Sequence, residues 1–207
     1  MRVGVFGGTF DPVHMGHLRI AEEVREDLSL ERIYFVPARV QPLKVPARGA
    51  AVDDRVRMLE MALRGNAFFR TSTVEARRQG VSYSIDTVKY FRRRFGEISF
   101  LVGVDAFSDI GMWKEHEQLF SYTDFVVMVR PGSRAQGLPE SLLGRTRQLD
   151  ASTWEHASGR RIHFHDITQL AISSTRIREL ASMGRSIKYL VPYSVERYIT
   201  KKGLYRD

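Results

Sequence analysis

The stretch Gly7-Gly8-Thr9-Phe10-Asp11-Pro12-Val13-His14-Met15-Gly16-His17 connects a short apolar strand, Val3 to Phe6, to an amphipathic helix that begins near Met15. The two leading glycines allow the backbone to turn tightly and to approach a ligand closely. The two histidines are three residues apart, so they fall on one face of the first helical turn. Free N–H groups and the positive end of the helix dipole lie at the same place. The stretch therefore predicts a site that holds and transfers phosphate groups.

Two other interpretations of this stretch are weaker. Paired histidines at this spacing also occur as metal ligands, but no acidic residue or third histidine nearby is an obvious further ligand. A dinucleotide-binding fingerprint would need Gly-x-Gly-x-x-Gly, and the stretch does not contain that spacing. An imidazole pair beside a phosphate-binding backbone remains the best interpretation.

The composition is that of an ordinary globular protein, with 207 residues, 43% of them hydrophobic and 27% charged. This length is enough for one domain with a substantial core. No apolar run approaches the roughly 20 residues that span a bilayer, and the chain enters a strand without a signal-peptide pattern. The absence of cysteine excludes disulfides, thiolate zinc sites and cysteine nucleophiles. We therefore expect a cytoplasmic protein with no membrane partner.

The formal net charge of +8 favours an anionic partner, either nucleic acid or a small polyphosphate. The basic clusters Arg92-Arg93-Arg94 and Lys201-Lys202 are typical of solvated helix faces, so charge alone does not choose between these partners. A nucleic-acid-binding module would leave the first stretch unexplained, and the chain lacks interleaved aromatic and basic patches. We expect no nucleic-acid partner.

Apolar runs that suggest strands alternate with helical patterns along the chain. The predicted strands are Arg2–Phe6, Arg32–Val36, Phe69–Thr73, Ile98–Gly103, Asp124–Val129 and Ile162–Asp166. One predicted helix begins near Met15, and the others cover Asp53–Arg64, Ile85–Phe95, Ser174–Met183 and Ser194–Lys201. This alternation indicates βαβ units in an α/β protein with a parallel sheet. Such sheets bind ligands at the carboxyl ends of their strands, where the first stretch would lie.

A second motif, Ile172-Ser173-Ser174-Thr175-Arg176-Ile177-Arg178, opens another predicted helix. Ser173 can cap this helix and leave the amides and hydroxyls of the next two residues open to an anion. Arg178 lies one turn further on and can reach the same ligand with its guanidinium. Alone, the segment could be an ordinary serine-capped helix with surface arginines. Together with the first stretch, it predicts a polyphosphate that spans two helix N-termini.

Three residues between the two motifs are further candidates. Asp105 follows a predicted strand and could accept hydrogen bonds from ribose hydroxyls or from a hydrated metal, although it could also be a helix N-cap. Trp113 lies in a polar stretch and could stack on a heteroaromatic ring, although a lone tryptophan is usually a core residue. Lys44 follows the second predicted strand and could bring positive charge to a phosphate, although most lysines in loops have no such role.

These residues together resemble the nucleotidyltransferases that carry the (H/T)-x-G-H motif. The first stretch resembles their main signature, and Ile-Ser-Ser-Thr-x-Ile-Arg resembles their second. A narrower resemblance is to the bacterial nicotinate mononucleotide adenylyltransferases. It rests on Ser82-Tyr83-Ser84, Gly103-Val104-Asp105, Trp113, Arg130-Pro131-Gly132 and Gly203-Leu204-Tyr205-Arg206. These landmarks run in order from Val3 to Arg206, so the resemblance covers essentially the whole chain.

The resemblance implies an α/β fold with a Rossmann-like parallel sheet flanked by helices. It implies one nucleotidyltransferase domain over residues 1–207, with the C-terminal helices from about residue 172 completing the ATP site. The implied reaction transfers AMP from ATP to nicotinate mononucleotide, giving deamido-NAD and pyrophosphate. Mg²⁺ would bind through the ATP phosphates and water, with no metal site made by the protein. Sister enzymes on the same scaffold act on nicotinamide mononucleotide or phosphopantetheine and are the alternatives.

The resemblance also assigns roles to individual residues. His14, His17 and Arg178 would be catalytic, with His17 neutralising charge that develops at the α-phosphoryl group. The residues that would bind ATP are Gly7, Gly8, Thr9, Phe10, His14, Gly16, His17, Ser173, Ser174, Thr175 and Arg178. Those that would bind the mononucleotide are Thr9, Lys44, Ser84, Asp105, Trp113 and Lys114. The chain departs from the family pattern at Leu43, where histidine is frequent, and at Ser84, where threonine is frequent.

Overall fold

The computed structural model describes residues 2–41, 49–129, 137–168 and 170–206. Its strands are β1 (Val3–Gly8), β2 (Arg32–Pro37), β3 (Phe69–Thr71), β4 (Ile98–Gly103), β5 (Asp124–Val129), β6 (Thr146–Gln148), β7 (Thr153–His156) and β8 (Arg161–Asp166). Its helices are α1 (Met15–Asp27), α2 (Val52–Ala62), α3 (Ser84–Phe95), α4 (Val104–Ser108), α5 (His116–Tyr122), α6 (Ser174–Ser182) and α7 (Tyr193–Lys202). None of the helices in these ranges combines the length and apolarity that a membrane span needs.

The strands form one eight-stranded sheet in the order β3-β2-β1-β4-β5-β8-β7-β6. Six neighbouring strands, from β3 to β8, are parallel, and β7 and β6 extend the sheet with antiparallel pairs. The chain runs outward from β1 to β3 and then returns to place β4 on the other side of β1. The order of connection therefore reverses between β1 and β4. In sheets of this kind, ligands bind outside the carboxyl ends of the strands at such a reversal.

Both faces of the central strands are buried, which explains why these strands are continuous apolar runs. Neighbouring residues of β1 illustrate this, because Val5 packs into one hydrophobic cluster and Phe6 into the other. Helices α1, α2, α6 and α7 contribute to the cluster around Phe6, and α3 and α5 to the cluster around Val5. This packing places the start of α1 just beyond the carboxyl end of β1.

The predicted α/β fold with a Rossmann-like parallel sheet is confirmed. The bounds predicted for β4 and β5 match the structure, and the other predicted strands and helices shift by one or two residues. The predicted strands do not include β6 and β7, which are short and largely polar and form the antiparallel edge of the sheet. The prediction also ended β1 at Phe6, whereas Gly7 and Gly8 still pair with β2.

Candidate active site

The turn after β1 is shaped by a buried phenylalanine. Phe10 has a φ of 50°, in the left-handed region, and its side chain is only 2% exposed. A Cβ atom on Gly8 would lie 3.0 Å from the Phe10 ring, so the ring can occupy this place only because residue 8 is glycine. The side chain of Phe10 therefore packs in the core, and only its backbone could meet ATP. Gly7 and Thr9 flank this glycine at the carboxyl end of β1.

The two predicted histidines stack on each other at the start of α1. Their ring centroids are 3.7 Å apart and their planes differ by 27°. The backbone N–H of His14 donates to Nδ1 of His17 over 3.3 Å, which closes the first turn of the helix. A Cβ atom on Gly16 would lie 3.1 Å from Nδ1 of His14, so this glycine gives the His14 ring its space.

The hydrogen bond to Nδ1 fixes the tautomer of His17. Because Nδ1 accepts, the proton of the neutral ring is on Nε2, which is left as a donor. The ring also lies edge-on to Phe10, with centroids 5.1 Å apart. Burial lowers the pKa of His17 well below its usual value, and the neighbouring His14 lowers it further. His17 is therefore a neutral N–H donor at neutral pH.

The second motif forms the N-terminus of α6, as predicted. Ser173 is the N-cap, and its hydroxyl accepts from the backbone N–H of Arg176 over 3.2 Å. Ser174 turns its hydroxyl toward the first motif and donates to the carbonyl of Pro12 over 2.9 Å. The hydroxyl of Ser174 is therefore engaged with the protein rather than left open, whereas Thr175 is exposed.

Arg178 joins the two motifs directly. Its Nη1 donates to the backbone carbonyl of Asp11 over 2.7 Å, and its Nη2 donates to the hydroxyl of Thr175 over 3.3 Å. These bonds hold the guanidinium between the turn after β1 and the start of α6. They use only part of its donor fork, so the rest can bind an anion.

Two residues to which the sequence analysis gave no role, Tyr205 and Arg55, hold the first motif in place. The buried carboxylate of Asp11 accepts from the hydroxyl of Tyr205 over 2.7 Å and from the backbone N–H of Ala50 over 3.1 Å. Arg55, which is 4% exposed, donates to the carbonyl of Thr9 over 2.7 Å. Burial lowers the pKa of Arg55, and the Asp11 carboxylate opposes this change. Sequence offered no signal for Arg55, and Tyr205 appeared only as part of a family landmark.

A cleft of about 810 Å³ opens beside this network. It is lined on one side by Thr175 and Arg178 of α6 and on the other by Tyr205, Arg206 and the segment from Gly49 to Ala51. Glu179 also lines the cleft, but its carboxylate pairs with Arg176 over 3.2 Å. The two arginines that line the cleft favour an anionic ligand.

A second group of predicted residues gathers near the start of α3. The ring of Trp113 lies edge-on to Phe100, with centroids 6.3 Å apart. Phe100 in turn comes within 3.4 Å of where a Cβ atom on Gly7 would lie. Lys114 places Nζ 4.6 Å from the ring centroid of Tyr83, the N-cap of α3. Lys114, which follows Trp113 in sequence, therefore lies close to Tyr83, which precedes Ser84, the first residue of α3.

A buried carboxylate supports the segment before α3. Thr87 donates to Glu75 over 2.6 Å, and burial raises the pKa of Glu75. Ser82 is buried as well and makes two hydrogen bonds to the segment that follows β2. Its hydroxyl accepts from the N–H of Arg39 over 3.0 Å, and its N–H donates to the carbonyl of Val40 over 2.9 Å. These bonds fix Ser84 relative to the carboxyl end of the sheet.

The remaining predicted residues are placed less closely. Asp105 is exposed in the first turn of α4, just beyond β4, and the N-cap of that helix is Gly103 rather than Asp105. Lys44 and the landmark at residues 130–132 lie outside the described residues.

Comparisons with known proteins identify the family to which this chain belongs. A family model described as cytidylyltransferase-like matches residues 5–180. The chain is 44% identical to the probable nicotinate-nucleotide adenylyltransferase of Geotalea uraniireducens and 41% identical to that of Pelobacter propionicus, each match covering 100% of this chain and 99% of the relative. The structure of Plasmodium falciparum nicotinic acid mononucleotide adenylyltransferase complexed with NaAD shares the fold, with a TM-score of 0.74 and 19% identity, covering 99% of this chain and 97% of that one. This chain therefore belongs to the nicotinate-nucleotide adenylyltransferase family of cytidylyltransferase-like proteins.

Proposed function

We propose that this protein transfers the adenylyl group of ATP to nicotinate mononucleotide, forming deamido-NAD and releasing pyrophosphate. The observation that carries the proposal is the joining of the two helix N-termini, α1 and α6, by the bonds of Ser174 and Arg178 to Pro12 and Asp11. This arrangement places a neutral histidine donor and a guanidinium at the reversal point of the sheet. It suits a polyphosphate that bridges the two helices.

In this mechanism a phosphate oxygen of the mononucleotide attacks the α-phosphorus of ATP. The bond from that phosphorus to the bridging oxygen breaks, and the electron pair leaves with pyrophosphate. The protein forms no covalent bond, so catalysis consists of positioning and charge stabilisation. The Nε2–H of His17 would donate to the α-phosphoryl oxygens as negative charge develops there. His14, whose ring stacks on that of His17, would contact the same phosphates.

The β- and γ-phosphates would bind at the start of α6. The backbone amides of Ser174 and Thr175, with the positive end of the helix dipole, favour an anion there. Arg178 would add its free donors, and Ser173 would contribute by capping the helix. The glycines 7, 8 and 16 and the backbone of Phe10 would let the triphosphate approach the turn. In this proposal the chain is a single domain that the helices from about residue 172 complete.

The mononucleotide would bind between the end of β1 and the start of α3. Trp113 would stack on the nicotinate ring, and backbone amides near Ser84 and Lys114 would hold its carboxylate. Backbone N–H donors favour a carboxylate over a neutral carboxamide, because charge strengthens each hydrogen bond. Thr9 and Lys44 would approach the phosphate, and Asp105 would accept from ribose hydroxyls.

Mg²⁺ would enter this site with ATP. Among the described residues, no group of three or more His, Cys, Asp or Glu side chains is placed to hold a metal ion. In this proposal the triphosphate and water supply its ligands, and the exposed carboxylate of Asp105, just beyond β4, would accept from a bound water. When bound, the ion would neutralise charge on the leaving pyrophosphate.

The direct test of the proposal is pyrophosphate release from ATP in the presence of Mg²⁺. Nicotinate mononucleotide, nicotinamide mononucleotide and phosphopantetheine are compared as acceptors at equal concentration. We expect the highest kcat/KM with nicotinate mononucleotide, because the amides near Ser84 favour a carboxylate. No release with this acceptor would reject the proposal. A higher kcat/KM with either of the other two would assign the chain to a sister activity.

Replacing Trp113 by alanine should raise the KM for nicotinate mononucleotide about tenfold, because stacking on an aromatic side chain contributes roughly 1–3 kcal/mol per ring. The KM for ATP should stay nearly unchanged, since Trp113 lies on the acceptor side of the site. Steady-state kinetics with each substrate varied in turn measures both values.

Trp154→Ala is the matched control for this substitution. Trp154 is also partly buried and packs on Phe164, with ring centroids 5.1 Å apart, but it lies on the antiparallel strand β7. Its loss should leave both KM values unchanged. Equal effects of Trp113→Ala on the two substrates would make Trp113 a structural residue.

A further inference from the structure

The end of the chain is tied to the first motif by one short hydrogen bond. The hydroxyl of Tyr205 donates to Oδ1 of Asp11 over 2.7 Å, joining residues that are 194 positions apart in sequence. Asp11 is 2% exposed. Tyr205 itself has a φ of 66°, in the left-handed region that costs a non-glycine residue free energy. The surrounding structure therefore holds this tyrosine in a disfavoured conformation with its hydroxyl on a buried carboxylate.

The Asp11 carboxylate needs such donors because burying a charge without partners is costly. Besides Tyr205, it accepts from the backbone N–H of Ala50 over 3.1 Å, and the guanidinium of Arg55 is close enough to interact with it electrostatically. Burial and the Asp11 carboxylate raise the pKa of the Tyr205 hydroxyl, so it remains a donor throughout the physiological pH range.

The same short segment is also held through its backbone. The carbonyls of Thr9, Asp11 and Pro12 accept from Arg55, Arg178 and Ser174 respectively, at 2.7, 2.7 and 2.9 Å. Asp11 is thus the residue at which the side-chain bond to Tyr205 and the backbone bond to Arg178 meet. A shift of Asp11 would move the guanidinium that faces the cleft, together with the turn that leads into the paired histidines.

We infer that Tyr205 is a positioning residue for adenylyl transfer, which acts through Asp11 to set Arg178 and the start of α1 relative to each other. This inference rests on the proposed function, because the reaction it serves is the one proposed above. Small errors in the placement of reacting groups are costly, since a displacement of about 1 Å can lower a rate by about 100-fold. Tyr205, which also lines the cleft, would then contribute to the rate through its bond to Asp11.

The test compares Tyr205→Phe with Tyr198→Phe. Tyr198 is a close match, because its hydroxyl also donates to an aspartate, Oδ1 of Asp54, over 2.7 Å, but that bond joins α7 to α2. We expect Tyr205→Phe to lower kcat by about tenfold or more, with the KM for nicotinate mononucleotide changed less than about twofold. Tyr198→Phe should change kcat by less than about twofold, although it removes the same kind of bond.

Thermal unfolding of both variants separates positioning from stability. Similar decreases in Tm with a kcat loss only in Tyr205→Phe would support the inference. An unchanged kcat in Tyr205→Phe, or an equal loss in both variants, would overturn it. If the unsubstituted enzyme releases no pyrophosphate from ATP and nicotinate mononucleotide, the proposed function fails instead, before either variant is compared.

A double-mutant cycle tests whether Tyr205 acts through Asp11. Asp11→Ala removes the carboxylate that accepts from the Tyr205 hydroxyl, so on its own it should lower kcat by about tenfold or more and keeps the inference testable if Tyr205→Phe folds poorly. If Tyr205 acts through Asp11, adding Tyr205→Phe to Asp11→Ala should lower kcat by no more than about threefold further, because contacting residues do not act additively. A full additional tenfold loss would contradict a route through Asp11.

Discussion

Replacing His17 by alanine should lower kcat for pyrophosphate release by about 100-fold or more, the effect of removing one donor to a developing oxyanion. The physical reason is that His17 is prepared as a neutral donor before substrate binds. Its Nδ1 accepts from the backbone N–H of His14, and burial lowers its pKa, so Nε2 carries the proton. The KM values should change far less than kcat. Steady-state kinetics with both substrates varied measures the difference.

His156→Ala is the control for this prediction. His156 is another histidine whose ring stacks on an aromatic neighbour, with its centroid 4.6 Å from that of Phe120. Burial also lowers its pKa, but it lies on β7 in the antiparallel part of the sheet. His156→Ala should leave kcat unchanged, although it removes a ring-stacking contact comparable to the one that His17→Ala removes. A normal kcat in His17→Ala, or the same loss in His156→Ala, would contradict the role given to His17.

The fold was predictable from sequence wherever burial makes a pattern regular. Strands β4 and β5 are central and covered on both faces, so their ends coincide with the ends of their apolar runs. Strands β6 and β7 were missed because β6 is a mostly exposed three-residue segment that, within the described part of the chain, pairs with β7 alone. Helix α5 was also missed, since its polar beginning hides the buried Leu119 and Phe120 near its end.

The candidate site was predictable to the extent that its parts are local. The serine cap of α6 and the stacked histidines follow from spacing within one helical turn, and the structure shows both. The bonds of Arg55 and Tyr205 to the first motif span 46 and 194 positions. A single sequence does not indicate that Arg55, among the many arginines of the chain, is the one buried against the carbonyl of Thr9. The contacts that make the motif rigid are therefore the ones that sequence reasoning could not supply.

These contacts would let the two separate motifs act as one site in the proposed reaction. The turn after β1 contains three backbone carbonyls, those of Thr9, Asp11 and Pro12, that each accept a hydrogen bond from a side chain elsewhere in the chain. In the proposed reaction these bonds would hold α1 and α6 in place before substrate binds, so that the site needs little reorganisation. Arg178 is central to the candidate site, because its guanidinium bonds to the Asp11 carbonyl and the Thr175 hydroxyl and also faces the cleft where the ligand would bind.

Replacing Arg178 by lysine should lower kcat/KM for ATP by about 10- to 100-fold, because a hydrogen bond to a charged group contributes roughly 1.5–3 kcal/mol. Lysine keeps the positive charge but lacks the planar fork. A single ammonium group cannot reproduce the bonds to the Asp11 carbonyl and the Thr175 hydroxyl while also facing a phosphate with fixed geometry. The KM for nicotinate mononucleotide should change little. Initial rates over a range of ATP concentrations measure the effect.

Arg176→Lys is the matched control, because it makes the same exchange two residues earlier on the same helix. The guanidinium of Arg176 pairs with the exposed carboxylate of Glu179 over 3.2 Å, an interaction that a lysine can largely replace. We expect kcat/KM for ATP to be nearly unchanged in this variant. If both variants lose activity equally, the general charge of α6 binds ATP. If neither does, the fork of Arg178 is not needed, and its bond to Asp11 is structural alone.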